Sequence, residues 1–282
     1  MRHPAKYTDC FFDTFAEMLQ GVDKVLDPFA GTGKIGKLKQ FGFTGKIYAN
    51  ELEPEWLVEN EYSCDVLTFC DAEFLDYPKH FFDAICTSPT YGNRMADHHN
   101  AKDGSRRNTY THCLGRQLDG GNTGKMQWGI EYMEKHERIY AHLATLVKPG
   151  GKFVLNVKNH IRRGVEIDVT AFHVSALEQN GFSVIEKRMV TTPSLKFGAN
   201  AEKRLSCEYI ILLQKNGRRK GKHMIESKRR AKKKYQKNIT RLTVDFYPTE
   251  KPLIDKINEQ PKKQTYIKDL IRADIKKEES ST

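Results

Sequence analysis

The sequence predicts an α/β protein whose main domain, residues 1–214, is a doubly wound, Rossmann-like sheet with an antiparallel edge. Apolar runs of strand length alternate with helical patterns, as in parallel sheets that carry crossover helices on both faces. A glycine-rich turn follows the first of these runs. The last two strand candidates follow each other without a long helix between them, which favours an antiparallel edge.

The predicted elements follow from apolar periodicity and from turn residues. The strand candidates are Lys24–Asp27, Lys46–Asn50, Asp65–Cys70, Phe82–Thr87, Lys152–Val157, Ser183–Val190 and Cys207–Gln214. The predicted helices are Lys34–Phe41, Pro54–Cys64, Ile130–Val147 and Val169–Asn180.

Composition excludes several classes of protein. The 282 residues are 38% hydrophobic and 29% charged, which is typical of globular chains. No apolar run approaches the ~18 residues of a membrane span, and the first residues lack a secretory signal. We therefore expect an intracellular, cytoplasmic protein without a membrane partner. The six cysteines form no Cys-x-x-Cys pair, so we expect no metal site.

The positive charge is concentrated in one segment. The chain carries a net charge of +11, and residues 215–237 hold 12 Lys and Arg residues against the single acid Glu226. Such a block repels itself and attracts polyanions, so residues 215–239 are interpreted as a basic linker that contacts nucleic acid. A linker that is merely solvated is the alternative.

The glycine turn has the pattern of a nucleotide-cofactor site. Gly31, Gly33 and Gly36 fit G-x-G-x-x-G after a strand and before a helix, and glycine lets a ligand approach the backbone closely. Glu51 directly follows the next strand, at a position where a carboxylate can accept hydrogen bonds from ribose hydroxyls. Sites for NAD and for S-adenosylmethionine share this pattern, so the turn alone does not choose between them.

A second motif, Thr87–Gly92 (Thr-Ser-Pro-Thr-Tyr-Gly), follows an apolar strand at the sheet edge where open α/β folds bind ligands. This motif resembles a signature of enzymes that methylate exocyclic amines. The resemblance implies that the Ser88 side chain and the Pro89 carbonyl accept the two N–H groups of an aryl amine, whose lone pair is otherwise delocalised into its ring. Pro89 stiffens the turn, and Tyr91 offers a flat face for a base swung out of a duplex.

Together these motifs resemble those of DNA methyltransferases that modify exocyclic amines. The run Asp27–Gly33 (Asp-Pro-Phe-Ala-Gly-Thr-Gly) resembles their cofactor motif, and Ser88–Tyr91 resembles their (Asp/Asn/Ser)-Pro-Pro-(Tyr/Phe) signature, with Thr90 in place of the second proline. The resemblance implies S-adenosylmethionine as cofactor and Ser88, Pro89 and Tyr91 as catalytic residues. It implies cofactor contacts from His3, Asp27, Phe29, Gly31, Gly33, Glu51, Asp71 and Ser88. For Asp71, a helix N-cap is an equal alternative.

The implied activity is methylation of a flipped base in double-stranded DNA, within the cytoplasm of a bacterial or phage-infected cell. Within the resembled family, serine at position 88 implies a slight preference for cytosine N4 over adenine N6. Two alternatives remain open: an RNA base amino-methyltransferase, and a DNA-binding regulator with a decayed methyltransferase domain. A partner restriction enzyme is an open question.

We call Thr87–Gly92 the amine motif. The choice of the target sequence is assigned to the insertion at residues 93–128, which directly follows it. Its Arg94, Arg106, Arg107 and Arg116 could hold phosphates. The alternative is a mobile lid over the cofactor.

The tail, residues 240–282, resembles the ribbon-helix-helix family. A strand at Arg241–Phe246 precedes two short amphipathic helices, which cannot bury enough surface without a twin. The resemblance therefore implies a homodimer, with Arg241 and Thr243 facing DNA. Whether this module contacts DNA or only dimerises is left open.

Overall fold

A computed structural model of the chain describes residues 7–92, 109–162, 165–192, 205–217 and 251–260, together with 266, 267, 269–271 and 273. The chain divides into two compact units, Met1–Lys228 and Arg229–Thr282. Each unit is described by itself.

The first unit is built on a seven-stranded sheet with the order β3-β2-β1-β4-β5-β9-β8. Its strands are β1 (Lys24–Asp27), β2 (Lys46–Asn50), β3 (Val66–Thr68), β4 (Phe82–Thr87), β5 (Val147–Val157), β8 (Phe182–Thr191) and β9 (Cys207–Lys215). The two short strands between β5 and β8, which are β6 (His160–Arg162) and β7 (Val165–Ile167), pair with each other in a separate hairpin. Strands β3, β2, β1, β4 and β5 are parallel, whereas β9 runs antiparallel to β5 and β8. The predicted doubly wound sheet with an antiparallel edge is confirmed.

Helices cover both faces of this sheet. They are α1 (Phe12–Met18), a 3-10 helix over Lys34–Phe41, α2 (Pro54–Leu57), α4 (Ile130–Leu146) and α5 (Val169–Gln179). A further helix, α3 (Tyr110–Leu114), packs with Trp56 of α2 in a separate apolar cluster. Alternation along the strands sends neighbouring side chains to opposite cores: Val25 packs with α1 and the 3-10 helix, whereas Leu26 packs with α4 and α5. Among the described residues, no helix combines the length and the apolar character needed to cross a membrane.

The helix predicted over Pro54–Cys64 is wrong beyond its first turn. It ends at Leu57, because Asn60 and Ser63 adopt left-handed backbone angles and the Asn60 side chain bonds both the N–H and the carbonyl of Cys64. Asparagine tolerates this conformation and competes for backbone hydrogen bonds in this way.

The second unit contributes one helix with given bounds, α6 (Lys251–Asn258), and helical residues within 266–273. Leu253, Leu270 and Ile271 are half exposed, so the described part of this unit has apolar side chains on its surface. The predicted strand Arg241–Phe246 lies outside the described residues.

Gly36 allows the 3-10 helix to approach the loop after α2. A Cβ at this position would lie 2.1 Å from the Tyr62 carbonyl oxygen, whereas a Cβ at Gly120 would meet nothing within 4 Å. We therefore expect Gly36→Ala to lower the free energy of unfolding by about 2 kcal/mol because backbone must move to admit the methyl group.

Urea unfolding followed by circular dichroism measures this effect. Gly120→Ala is the matched control, and its free energy of unfolding should change by less than about 0.5 kcal/mol. Equal effects of the two substitutions would contradict the packing argument.

Candidate active site

A cavity of about 420 Å³ opens at the carboxyl ends of the parallel strands. It lies where the chain order reverses between β1 and β4, the position at which open α/β sheets bind ligands. Predicted site residues from four separate stretches line it: Phe29, Gly31, Glu51, Asp71, Ser88, Pro89 and Tyr91. Its volume falls in the range of about 300–1,000 Å³ that is usual for small-molecule sites.

The turn after β1 contributes the glycine side of this cavity. Gly31 and Gly33 have φ angles of 55° and 75°, a left-handed conformation that glycine adopts without strain. Gly31 lines the cavity, but Gly33 does not: a Cβ there would lie 2.9 Å from a Leu57 methyl group. Gly33 therefore serves close packing beneath the turn.

Asp27 joins the two strands that flank the cavity. Its fully buried carboxylate accepts hydrogen bonds from the Thr87 hydroxyl at 2.7 Å, the Tyr7 hydroxyl at 2.8 Å and the Phe29 N–H at 3.1 Å. Burial raises its pKa to about 6. Asp27 does not line the cavity, and its oxygens are used to hold the end of β1 beside the end of β4.

Glu51 lines the cavity and organises the backbone around it. One carboxylate oxygen accepts from the Gly31 N–H at 2.8 Å, and the other accepts from the N–H groups of Leu52 and Glu53 at 2.9 and 3.1 Å. Burial raises the pKa of Glu51 to about 7 despite these three donors.

Asp71 is the helix N-cap that the sequence offered as an alternative, and it also lines the cavity. One carboxylate oxygen accepts from the Glu73 N–H at 3.0 Å, which makes Asp71 the N-cap of a 3-10 turn. The other accepts from the Lys135 ammonium at 2.6 Å, and the side chain also lines the cavity. Lys135 fixes the carboxylate at the cavity wall.

Hydrogen bonds between side chains hold the turn of the amine motif in place. The Ser88 and Tyr91 hydroxyls are hydrogen-bonded at 2.8 Å, and the Thr90 hydroxyl donates to Thr123 at 2.8 Å. Thr90, which replaces the second proline of the resembled motif, is thus anchored by a side chain in the loop before α4.

A buried chain of hydrogen-bonded side chains also holds this turn in place. The Tyr132 hydroxyl donates to the Thr90 carbonyl and lies 2.9 Å from His173 Nε2, while the Tyr140 hydroxyl lies 2.6 Å from His173 Nδ1. Burial lowers the pKa of His173 well below its usual value, so the ring is neutral. A neutral ring that donates from Nε2 and accepts at Nδ1 satisfies every member of the chain.

Sequence reasoning missed several residues of this site. Asn50 bonds the carbonyls of Pro28 and Cys70 at 3.2 and 2.9 Å, which ties together the ends of three strands. Thr32, Asn156, Lys158 and Glu208 also line the cavity. Their place in the sequence could have identified two of them, because Asn50 and Asn156 lie at the carboxyl ends of predicted strands.

Arg116, expected to hold a phosphate, is engaged within the protein. Its guanidinium lies 2.7 Å from both oxygens of Glu55 and 2.8 Å from Glu53. A phosphate would have to compete with these carboxylates. The other predicted nucleic-acid contacts, Arg94, Arg106, Arg107, Arg241 and Thr243, lie outside the described residues, and so does His3.

The fold and cavity define a Rossmann-like α/β protein with a cavity at its topological switch point. No protein-family model and no curated protein matches the chain. Solved structures that resemble it include the cyclase SpnF, with 16% identity, a TM-score of 0.47 and coverage of 74% of this chain and 82% of that chain.

Two further solved structures are described as methyltransferases. A SAM-dependent methyltransferase from Methanosarcina mazei is 13% identical with a TM-score of 0.46, covering 72% of this chain and 97% of that chain. A candidate DNA modification methylase from Thermus thermophilus is 16% identical with a TM-score of 0.33, covering 54% of this chain and 53% of that chain. At such identities, the function has to be argued from the site itself.

The raised pKa of Glu51 predicts a pH-dependent stability. Because the folded state binds this proton more tightly than the unfolded chain, its contribution is complete below about pH 4.5 and is lost as the pH rises through about 7. The free energy of unfolding of the wild type, relative to Glu51→Gln, should fall by about 3 kcal/mol between pH 4 and pH 8.

Urea titrations of both proteins across this pH range measure the difference. Glutamine cannot ionise, so every other titrating group cancels in the comparison. A difference that stays level with pH would show that Glu51 titrates normally.

Proposed function

We propose that this protein is a methyltransferase that transfers the methyl group of S-adenosylmethionine to an exocyclic amine of a base in DNA. One observation carries the proposal: the glycine turn after β1 and the amine motif after β4 line the same cavity. Direct transfer requires donor and acceptor to be held in contact, and a shared cavity meets that requirement.

The residues that line the cavity around the glycine turn after β1 fit S-adenosylmethionine. Thr32 lines the cavity, and its buried hydroxyl has no hydrogen-bond partner among the described residues. Buried polar atoms are normally paired, so this hydroxyl supports a polar ligand beside it. Glu51 and Asp71 would accept hydrogen bonds from ribose hydroxyls and from an adenine amine, respectively, beside the aromatic face of Phe29.

The residues of the amine motif after β4 fit a weakly nucleophilic aryl amine. When bound, S-adenosylmethionine supplies a methyl group on a positively charged sulfur, which keeps the electron pair of the broken bond. Ser88 and the Pro89 carbonyl accept the two amine N–H groups, which frees the nitrogen lone pair from the ring for attack. After transfer the nitrogen loses one proton to water, and Tyr91 provides a face on which the base stacks.

Charge supports a nucleic acid as the larger substrate. Twelve Lys and Arg residues lie within residues 215–237, and a basic segment of this kind gives salt-dependent, sequence-independent affinity for phosphates. The half-exposed Leu253, Leu270 and Ile271 of the second unit support a homodimer formed by the tail. A dimer would bring two catalytic domains to one DNA molecule at raised local concentration.

Analysis of nucleosides from an expressing host tests the function. DNA from a host without its own base methylation should gain N4-methylcytosine or N6-methyladenine, detected by mass spectrometry. Pro89→Ala should lower this yield by about a hundredfold because a looser turn misdirects the acceptors, while the affinity for S-adenosylhomocysteine in isothermal titration stays within about twofold.

Thr32→Val supplies the opposite pattern as a control. It should weaken S-adenosylhomocysteine binding about tenfold while leaving the free energy of unfolding unchanged, because the hydroxyl bonds to no group in the part of the chain that the structure describes. Methylated nucleosides in RNA alone would redirect the proposal to RNA. Cofactor binding without any methylated nucleic acid would favour a regulator with an inactive domain.

A further inference from the structure

A polar cluster lies beside the amine motif in the same cavity. Asn156 and Lys158 stand at the carboxyl end of β5, which neighbours β4, and Glu208 stands at the start of β9. The three side chains belong to neighbouring antiparallel strands, because Asn156 pairs with Ile210 and Val157 with Tyr209. They face the space into which Ser88 and Tyr91 also open.

The members of this cluster hold one another in place. Asn156 Nδ2 donates to Glu208 Oε2 at 3.2 Å, and Lys158 Nζ lies 3.7 Å from Glu208 Oε1. Lys158 also donates to the Thr192 hydroxyl at 3.2 Å. The Lys158 and Glu208 side chains are only 24% and 15% exposed, so the pair is largely removed from solvent.

Glu208 also lines the cavity together with the turn Ser88–Tyr91. Burial raises the pKa of Tyr91, and the negative charge of Glu208 is the next largest cause. Glu208 lines the same cavity as Tyr91, whose hydroxyl is bonded to Ser88. Lys158, whose ammonium lies 3.7 Å from Glu208, therefore shares a cavity with Ser88, and the ring of an amine bound by Ser88 would enter that cavity.

The two candidate bases differ in what their edges offer such a donor. Next to its amine, cytosine presents two adjacent acceptors, the ring nitrogen N3 and the carbonyl O2. On its Watson–Crick edge, adenine presents one acceptor beside the amine, N1, followed by an apolar C–H. An ammonium group has three N–H donors and accepts nothing, so a ring that leaves a partly buried ammonium facing C–H is penalised.

We propose that Lys158, oriented by Glu208 and Asn156, is the residue that selects cytosine over adenine in this cavity. The inference rests on the proposed function and deepens it from an exocyclic amine in general to cytosine N4. Lys158 binds the acceptor edge of the base, whereas Glu208 and Asn156 are positioning residues. Sites built to pair with a polar group of the substrate discriminate strongly against analogues that lack that group.

Product analysis with the full chain tests the assignment. Genomic DNA from hosts that express the wild type, Lys158→Met or Lys158→Arg is digested, and N4-methylcytosine and N6-methyladenine are measured by mass spectrometry. The wild type should give N4-methylcytosine. Lys158→Met should lower that product by about a hundredfold through the loss of a charged donor, and Lys158→Arg, which keeps a charged donor, should stay within about tenfold of the wild type.

Two controls separate recognition from folding and cofactor binding. Lys46→Met removes an exposed lysine at the start of β2 and should leave the product level unchanged. The affinity of each variant for S-adenosylhomocysteine should match that of the wild type within about twofold, since Lys158 contributes donors to the base edge. If Lys158→Met does not fold, the Lys158→Arg and wild-type products decide the question.

Each outcome has a defined consequence. N6-methyladenine as the wild-type product overturns the assignment and leaves the proposed function intact. N4-methylcytosine that persists in Lys158→Met within about threefold, or that is lost equally in Lys158→Arg, also overturns it. The absence of any methylated nucleoside from the wild type overturns the proposed function together with the inference.

Discussion

The buried carboxylate of Asp27 is the interaction on which the site depends. It binds the hydroxyl of Thr87 at the end of β4 and the N–H of Phe29 at the start of the glycine turn. Two loops of different sequence therefore leave the sheet side by side, at the point where its strand order reverses. If these ends were free to separate, neither the glycine turn nor the amine motif would define a closed space. One unexposed aspartate thus links the fold to the cavity.

Around this link, the protein organises the cavity with buried polar groups. Glu51 accepts three backbone N–H groups, and the Tyr132–His173–Tyr140 chain holds the Thr90 carbonyl. Burial raises the pKa of Glu51 to about 7 and that of Asp27 to about 6, so ionising them costs stability near neutral pH. Such arrangements are typical of functional sites, where preorganisation offsets an unfavourable environment.

Much of this arrangement was accessible from the sequence, and the exceptions have physical reasons. Strand bounds such as Lys24–Asp27 and Phe82–Thr87 were predicted correctly, because apolar runs between turn residues report local structure directly. Long-range pairings leave no such pattern. The sequence offers Arg116 as a phosphate ligand, yet its partners Glu53 and Glu55 lie some sixty positions earlier in the chain. The Asn156–Glu208 contact likewise depends on the register of β5 against β9.

A crystal structure of the complex with S-adenosylhomocysteine tests the shared cavity most directly. The account predicts the ligand against Phe29 and Glu51, with a new hydrogen bond to the Thr32 hydroxyl and its sulfur turned toward the Ser88–Tyr91 turn. A ligand bound elsewhere, or a sulfur atom on the far side of the glycine turn from Ser88, would contradict it.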